Sequence, residues 1–281
     1  MWAADGTVAN VLSWTGQGSF ELNGTSFRTL PPVDLLEEHP MDLGEREFFV
    51  FKAVEEVESY VELVRALEPQ RILELGVFGG GSTMLLAEIA RPQRIVALDL
   101  TPLAEVEEKM ARAVAASDLD PTTISLHGGV DQSDAATLER ICASEFGGEP
   151  LDLVIDDASH QYLPTLASFN ALFPRLRRGG LYVIEDWRWA HTQFDPLPID
   201  GSDPDRVPMT RLLVEALTAF VSSPGIVAAM RVEADKAIIE RGDVACDPLA
   251  FDVADHYDAA GRTLQGAGTA RGRSLLDRLR R

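Results

Sequence analysis

Between Arg71 and Trp187 the apolar residues alternate between two patterns. Short runs at 71–75, 94–98, 122–126, 151–155 and 181–184 read as strands, and those at 151–155 and 181–184 are mainly apolar with β-branched residues, which suits strands buried on both faces. Between them come stretches with helical character, at 82–90, 102–116 and 133–143, the last with Ser133 placed as an N-cap. After the run at 151–155, Tyr162, Leu166, Phe169, Phe173 and Leu176 recur at steps of four and three. That spacing marks one apolar face of a helix. Gly179-Gly180 is expected to stop this helix and turn the chain into the next strand. Strand and helix in strict alternation predict an α/β fold, a doubly wound and mainly parallel sheet with helices on both faces. A right-handed crossover sets the strands at 151–155 and 181–184 parallel.

The flanks read differently. Residues 1–43 do not continue the main pattern, and Asn23-Gly24 between extended segments is a strong hairpin signal. The segment is expected to pack on the domain or on a second copy of the chain, or to act as a lid over a substrate. Residues 45–67 are expected to be one helix, with Phe51, Val54, Val57, Val61 and Val64 inward and Glu55, Glu58 and Glu62 in water. Beyond Trp187 a loop rich in Pro, Asp and Gly precedes a helix at 210–221. Two apolar runs at 226–232 and 237–241 then form an antiparallel hairpin around Glu233-Ala234-Asp235-Lys236. The expected organisation is an appendage at 1–43, a main domain at 44–245 and an extension at 246–281 ending in an Arg-rich tail.

Composition narrows the function. The net charge of −20 opposes binding to nucleic acid, whose phosphates would be repelled. No apolar stretch approaches the roughly 18 residues of a membrane span. The first residues lack the basic start and apolar core of a signal peptide. Cys142 and Cys246 have no metal-binding or redox spacing, which fits a reducing cytoplasm.

The chemistry gathers at strand ends. The run at 151–155 ends in Asp156-Asp157 and the run at 181–184 ends in Glu185-Asp186, with His160 nearby. Open α/β sheets bind ligands at the carboxyl ends of their strands. Four acids on one sheet edge repel one another unless a cation lies among them. A second signal is the turn from Glu74 to Ser82, with Gly76, Gly79 and Gly80, at the first strand-to-helix junction. Glycines there let a ligand approach the backbone, and the helix N-terminus adds free N–H donors. Their spacing is not that of the dinucleotide-binding fingerprint, which weakens a dehydrogenase reading. Asp99, at the tip of the second strand, is placed to accept hydrogen bonds from ribose hydroxyls. Asp131 and Gln132, after Gly128-Gly129, are positioned to frame an adenine.

The combination Glu74-x-Gly76-x-x-Gly79-Gly80, Asp99, Asp156-Asp157-x-Ser159-His160 and the segment from Ser168 to Trp187 resembles the class I S-adenosylmethionine-dependent methyltransferases. The resemblance is nearest to the Mg²⁺-dependent O-methyltransferases of antibiotic and macrolide-sugar biosynthesis. It implies a seven-stranded Rossmann-like sheet ending in an antiparallel hairpin. It also implies S-adenosylmethionine held by Glu74, Gly76, Gly79, Gly80, Ser82, Asp99, Asp131, Gln132 and Asp156. Asp157, Glu185 and Asp186 become Mg²⁺ ligands, and His160 the general base. Ala158 stands where the family has glycine, and residues 1–43 show no match. The implied reaction is methyl transfer to a hydroxyl of a small molecule, most simply a sugar of a natural product, by a homo-oligomeric enzyme. A catechol-type acceptor, or a non-catalytic cofactor-binding role, are the alternatives.

Overall fold

The computed structural model describes residues 12–16, 18–29, 44–191, 207–223 and 225–257. The main sheet has seven strands in the order β10-β11-β9-β8-β5-β6-β7. They are β5 (Arg71–Leu75), β6 (Arg94–Asp99), β7 (Ile124–Gly128), β8 (Leu151–Asp156), β9 (Leu176–Glu185), β10 (Val227–Val232) and β11 (Lys236–Arg241). The first five pair in parallel, and β11 runs antiparallel to both β9 and β10. The expected doubly wound sheet with an antiparallel end is therefore present.

Period-2 alternation in the strands divides the core. Leu73, Val154, Tyr182 and Ile184 face one layer, with α4 (Ala135–Phe146), α5 (Tyr162–Leu172) and α6 (Thr210–Ser222). Ile72, Leu153, Leu181 and Val183 face the other, with α1 (Val54–Leu67), α2 (Gly81–Ala90) and α3 (Ala104–Ala115). The central strands thus feed two cores, which is why their sequences are mainly apolar.

The second layer continues into a four-stranded sheet of β1 (Ser13–Gly16), β2 (Ser19–Leu22), β3 (Thr25–Thr29) and β4 (Glu47–Val50). Asn23-Gly24 closes the β2–β3 hairpin, as its turn chemistry predicts, with both residues at positive φ. Phe20, Phe27 and Phe48 are buried in the same cluster as Val57, Ile72 and Met84. The small sheet is packed onto the main one.

Three local expectations change. Residues 47–50 are not the start of a helix: they form β4, which pairs in parallel with β3, and Phe48, Phe49 and Val50 are buried in succession. Gly179-Gly180 does not end a helix. The helix stops at Leu172, Pro174 sits in a following single turn, and both glycines lie inside β9. The cap of α4 is Asp134, which accepts from Thr137 N, and not Ser133. The Arg-rich tail and the loop at 192–206 lie outside the described residues. Among those described, no helix is long and apolar enough to cross a membrane.

Candidate active site

A cavity of about 490 Å³ opens at the carboxyl ends of β5, β6, β8 and β9. Gly76, Gly79, Ser82, Asp99, Asp131, Gln132, Asp157, His160 and Asp186 line it. Glu74, Gly80, Asp156 and Glu185 stand behind its wall. The candidate residues therefore fall into a shell facing the cavity and a shell supporting it.

The glycine turn shows how the two differ. A Cβ on Gly76 would lie 2.1 Å from the carbonyl oxygen of Asp157, and its φ of +91° is open only to glycine. The backbone that presses on Gly76 is thus the end of β8. Gly79, by contrast, has nothing within 4 Å of a Cβ and faces the cavity, so it is the glycine left open to a ligand. Glu74 is buried beneath the turn and accepts from Thr83 Oγ1 at 2.5 Å. Burial raises its pKa to about 7, against the hydrogen bonds of Ser82 and Thr83.

Asp99 closes the turn. One carboxylate oxygen accepts from the amides of Val77 at 2.9 Å and Phe78 at 3.1 Å, and the other from Thr101 N at 2.8 Å. Partial burial works against its charge, but the donors of Thr101, Val77 and Phe78 outweigh it and hold the carboxyl below its usual range. It stays ionised at the cavity wall, with the Thr101 hydroxyl as a fourth donor at 2.7 Å. Phe78, at φ +48° and largely exposed, stacks edge-on against Phe51 with centroids 4.6 Å apart. Gln132 donates to Asp156 at 3.1 Å and accepts from Ser159 N at 2.9 Å, which joins the loop after β7 to the end of β8.

At the acidic edge, Asp156 points into the α5 layer. It accepts from Ser168 Oγ at 2.6 Å, Tyr182 OH at 2.8 Å and Gln132. Burial raises its pKa to about 6, opposed by those three donors. Asp157 and Asp186 face the cavity, and ligand atoms of Asp157, His160 and Asp186 lie within 4.8 Å of one another. Burial, and then the charges of Asp157 and Glu185, push Asp186 up to about 8. Glu185 is not drawn into that group. It is buried toward α1, where Tyr60 OH donates to Oε1 at 2.5 Å and Lys52 Nζ is bonded to Oε2. His160, at φ +51°, has its ring 4.2 Å from that of Trp189 and its Nε2 3.8 Å from Asp157 Oδ1. Burial lowers its pKa to about 4, so the imidazole is neutral at pH 7 and able to accept a proton.

Lys52 was not foreseen. Reading 45–67 as a single helix hid it, because the ammonium enters from the short connection between β4 and α1. Phe49 and Phe51 reach the cavity from the same segment. An isolated lysine beside a phenylalanine run carries no motif. Only the four acids, which need a cation, hinted at it.

The donor set suits a divalent ion. Lys52 contacts Asp157 and Glu185 but not Asp186, so a dication beside Asp157 and Asp186 would balance the remaining negative charge, and hard oxygen donors favour Mg²⁺. The open glycine turn and the ionised Asp99 likewise suit an adenosine-containing cofactor.

Sheet order, glycine turn and strand-end acids are arranged as in class I S-adenosylmethionine-dependent methyltransferases, and a family model described as a methyltransferase domain matches residues 73–187. Mycinamicin VI 2''-O-methyltransferase of Micromonospora griseorubida is 36% identical over 144 residues, covering 47% of this chain and 32% of that protein. Demethylmacrocin O-methyltransferase of Streptomyces fradiae is 35% identical over 158 residues, covering 53% and 35%. This chain thus spans about a third of the length of the curated relatives it matches. Among solved structures, the MycE methyltransferase of the mycinamycin pathway, in complex with Mg, SAH and mycinamycin VI, aligns with a TM-score of 0.51 at 29% identity. That alignment covers 66% of this chain and 49% of that one.

Proposed function

We propose that this protein is an enzyme that methylates a hydroxyl of a sugar carried by a natural product, using S-adenosylmethionine and a divalent ion such as Mg²⁺. The observation that carries this reading is the meeting of Asp157, His160 and Asp186 in the same cavity as Gly79 and Asp99. The names of the relatives, sugar O-methyltransferases of antibiotic pathways, support the acceptor class.

Each residue has a physical role. Gly79 and the start of α2 leave backbone N–H groups open to the cofactor, and Asp99 accepts from its ribose hydroxyls. Asp157 and Asp186 would hold the divalent ion, which when bound supplies a Lewis acid that lowers the pKa of an acceptor hydroxyl. His160, kept neutral by burial, takes the hydroxyl proton on its ring nitrogen, and general-base help of this kind is typically about 10²–10⁴ in rate. Trp189 packs against the imidazole and fixes its plane. Phe51 and Phe78 give the cavity an apolar rim that excludes water from the reacting groups.

The test is product mass spectrometry with methyl-labelled S-adenosylmethionine and a panel of glycosylated macrolides and aromatic polyketides. We expect a labelled methyl ether on the sugar, loss of turnover on chelation, and recovery with Mg²⁺. Full activity after exhaustive chelation would remove the ion from the mechanism. Methylation of catechols in preference to sugars would change the acceptor class.

A further inference from the structure

Lysines are rarely buried unless paired, and Lys52 is only 5% exposed. Its ammonium is bonded to Glu185 Oε2, lies 3.2 Å from Asp157 Oδ2 and sits 5.2 Å from the centre of the Tyr60 ring. It therefore bridges the ends of two neighbouring parallel strands, β8 and β9, through one carboxylate from each. Burial disfavours its charge, but Asp157 and Glu185 hold it firmly protonated. One of the two acids it holds, Asp157, faces the cavity and is also in the group with His160 and Asp186 that could hold a divalent ion, so the ammonium and the ion would draw on the same carboxylate.

We propose that Lys52 is an internal competitor of the divalent ion. Without the ion, its ammonium keeps the two strand ends together, and it must give up Asp157 when the ion binds. Tyr60 retains Glu185 during the exchange, because its hydroxyl bonds the other carboxylate oxygen. Ion affinity is then set by the lysine as well as by the ligands. The inference rests on the metal-dependent reading above.

The test is direct Mn²⁺ binding, followed by electron paramagnetic resonance on the full chain at fixed pH without cofactor or acceptor. Lys52→Met removes the charge and nearly keeps the length, and should bind Mn²⁺ at least about tenfold more tightly than wild type, since a like charge at salt-bridge distance is lost. Lys52→Arg keeps the charge and should stay near wild type. A purely structural lysine predicts the opposite, weaker binding in Lys52→Met. Equal or weaker binding there overturns the proposal and leaves the metal reading intact. Absence of Mn²⁺ binding in both proteins overturns the two together. Should Lys52→Met fail to fold, wild-type protein with ¹³Cε-labelled lysine decides: the Lys52 signal, identified by its loss in Lys52→Arg, should shift in step with Mg²⁺ occupancy. A signal unmoved at saturation overturns the proposal.

Discussion

The ends of β8 and β9 carry the same chemical unit, two consecutive carboxylates, and use it in mirror fashion. At β8 the first acid, Asp156, turns into the α5 layer, where Ser168, Tyr182 and Gln132 satisfy it. At β9 the first acid, Glu185, turns into the opposite layer, toward Tyr60 and Lys52 of the α1 side. In each pair only the second acid faces the cavity. The strand period of two decides this, because neighbouring residues must point to opposite faces. Four acids in the sequence are thus two anchors and two candidate ligands. The anchors also differ: neutral donors hold Asp156, whereas a cation helps to hold Glu185.

The largest effect that could break this division is on turnover. Asp157→Asn should lower kcat by about 10³ or more, because an ion site of several kcal/mol loses a charged ligand. Its thermal midpoint should fall less than that of Asp156→Ala, since Lys52 keeps its bond to Glu185. His160→Ala should lose about 10²–10⁴ in kcat while keeping its Mg²⁺ requirement. Near-normal kcat in both would mean that the cavity-facing acids are mere surface charge.

Asp156 should respond in the other direction, on stability. Asp156→Ala leaves the buried donors of Tyr182, Ser168 and Gln132 without their acceptor, at a cost of about 3–5 kcal/mol. Chemical denaturation measures this, and an unchanged midpoint would show that Asp156 is no anchor.

The smallest effect concerns Glu74, the acid beneath the glycine turn. Its folded pKa is about 7, above the ordinary 4.5. The folded state therefore holds a proton that the unfolded chain releases first. The stability this confers is fully present below pH 4.5 and is lost as pH rises through about 7. Glu74→Gln should accordingly be more stable than wild type at pH 8, by roughly 1–3 kcal/mol, and close to it at pH 5. Parallel denaturation curves at the two pH values with no difference between them would refute this.

What the sequence shows follows from what each residue does alone. The central strands of the main sheet were legible because burial on both faces leaves a mainly apolar run, and the acids because they close those runs. The Asn23-Gly24 turn was legible because few dipeptides accept two positive φ values. The split between anchors and cavity-facing acids was harder to read, since it depends on partners far along the chain. Lys52 lies 133 positions from Glu185, and no local pattern announces the bond. Gly179-Gly180 misled for a related reason: the helix had already ended at Leu172, and the glycines lie where the pairing of β9 with β8 shifts register.

The contact at Gly81 carries a consequence for how such proteins diversify. A Cβ there would lie 1.7 Å from the carbonyl oxygen of Phe49, so the first turn of α2 is seated directly on the last residues of β4. The small sheet therefore behaves less like a detachable module than like a keystone set against the cofactor turn. Exchanging residues 12–50 for the leading segment of another family member would be a graft across a joint with no slack. It should succeed only when the donor brings a chain path that clears the same helix start.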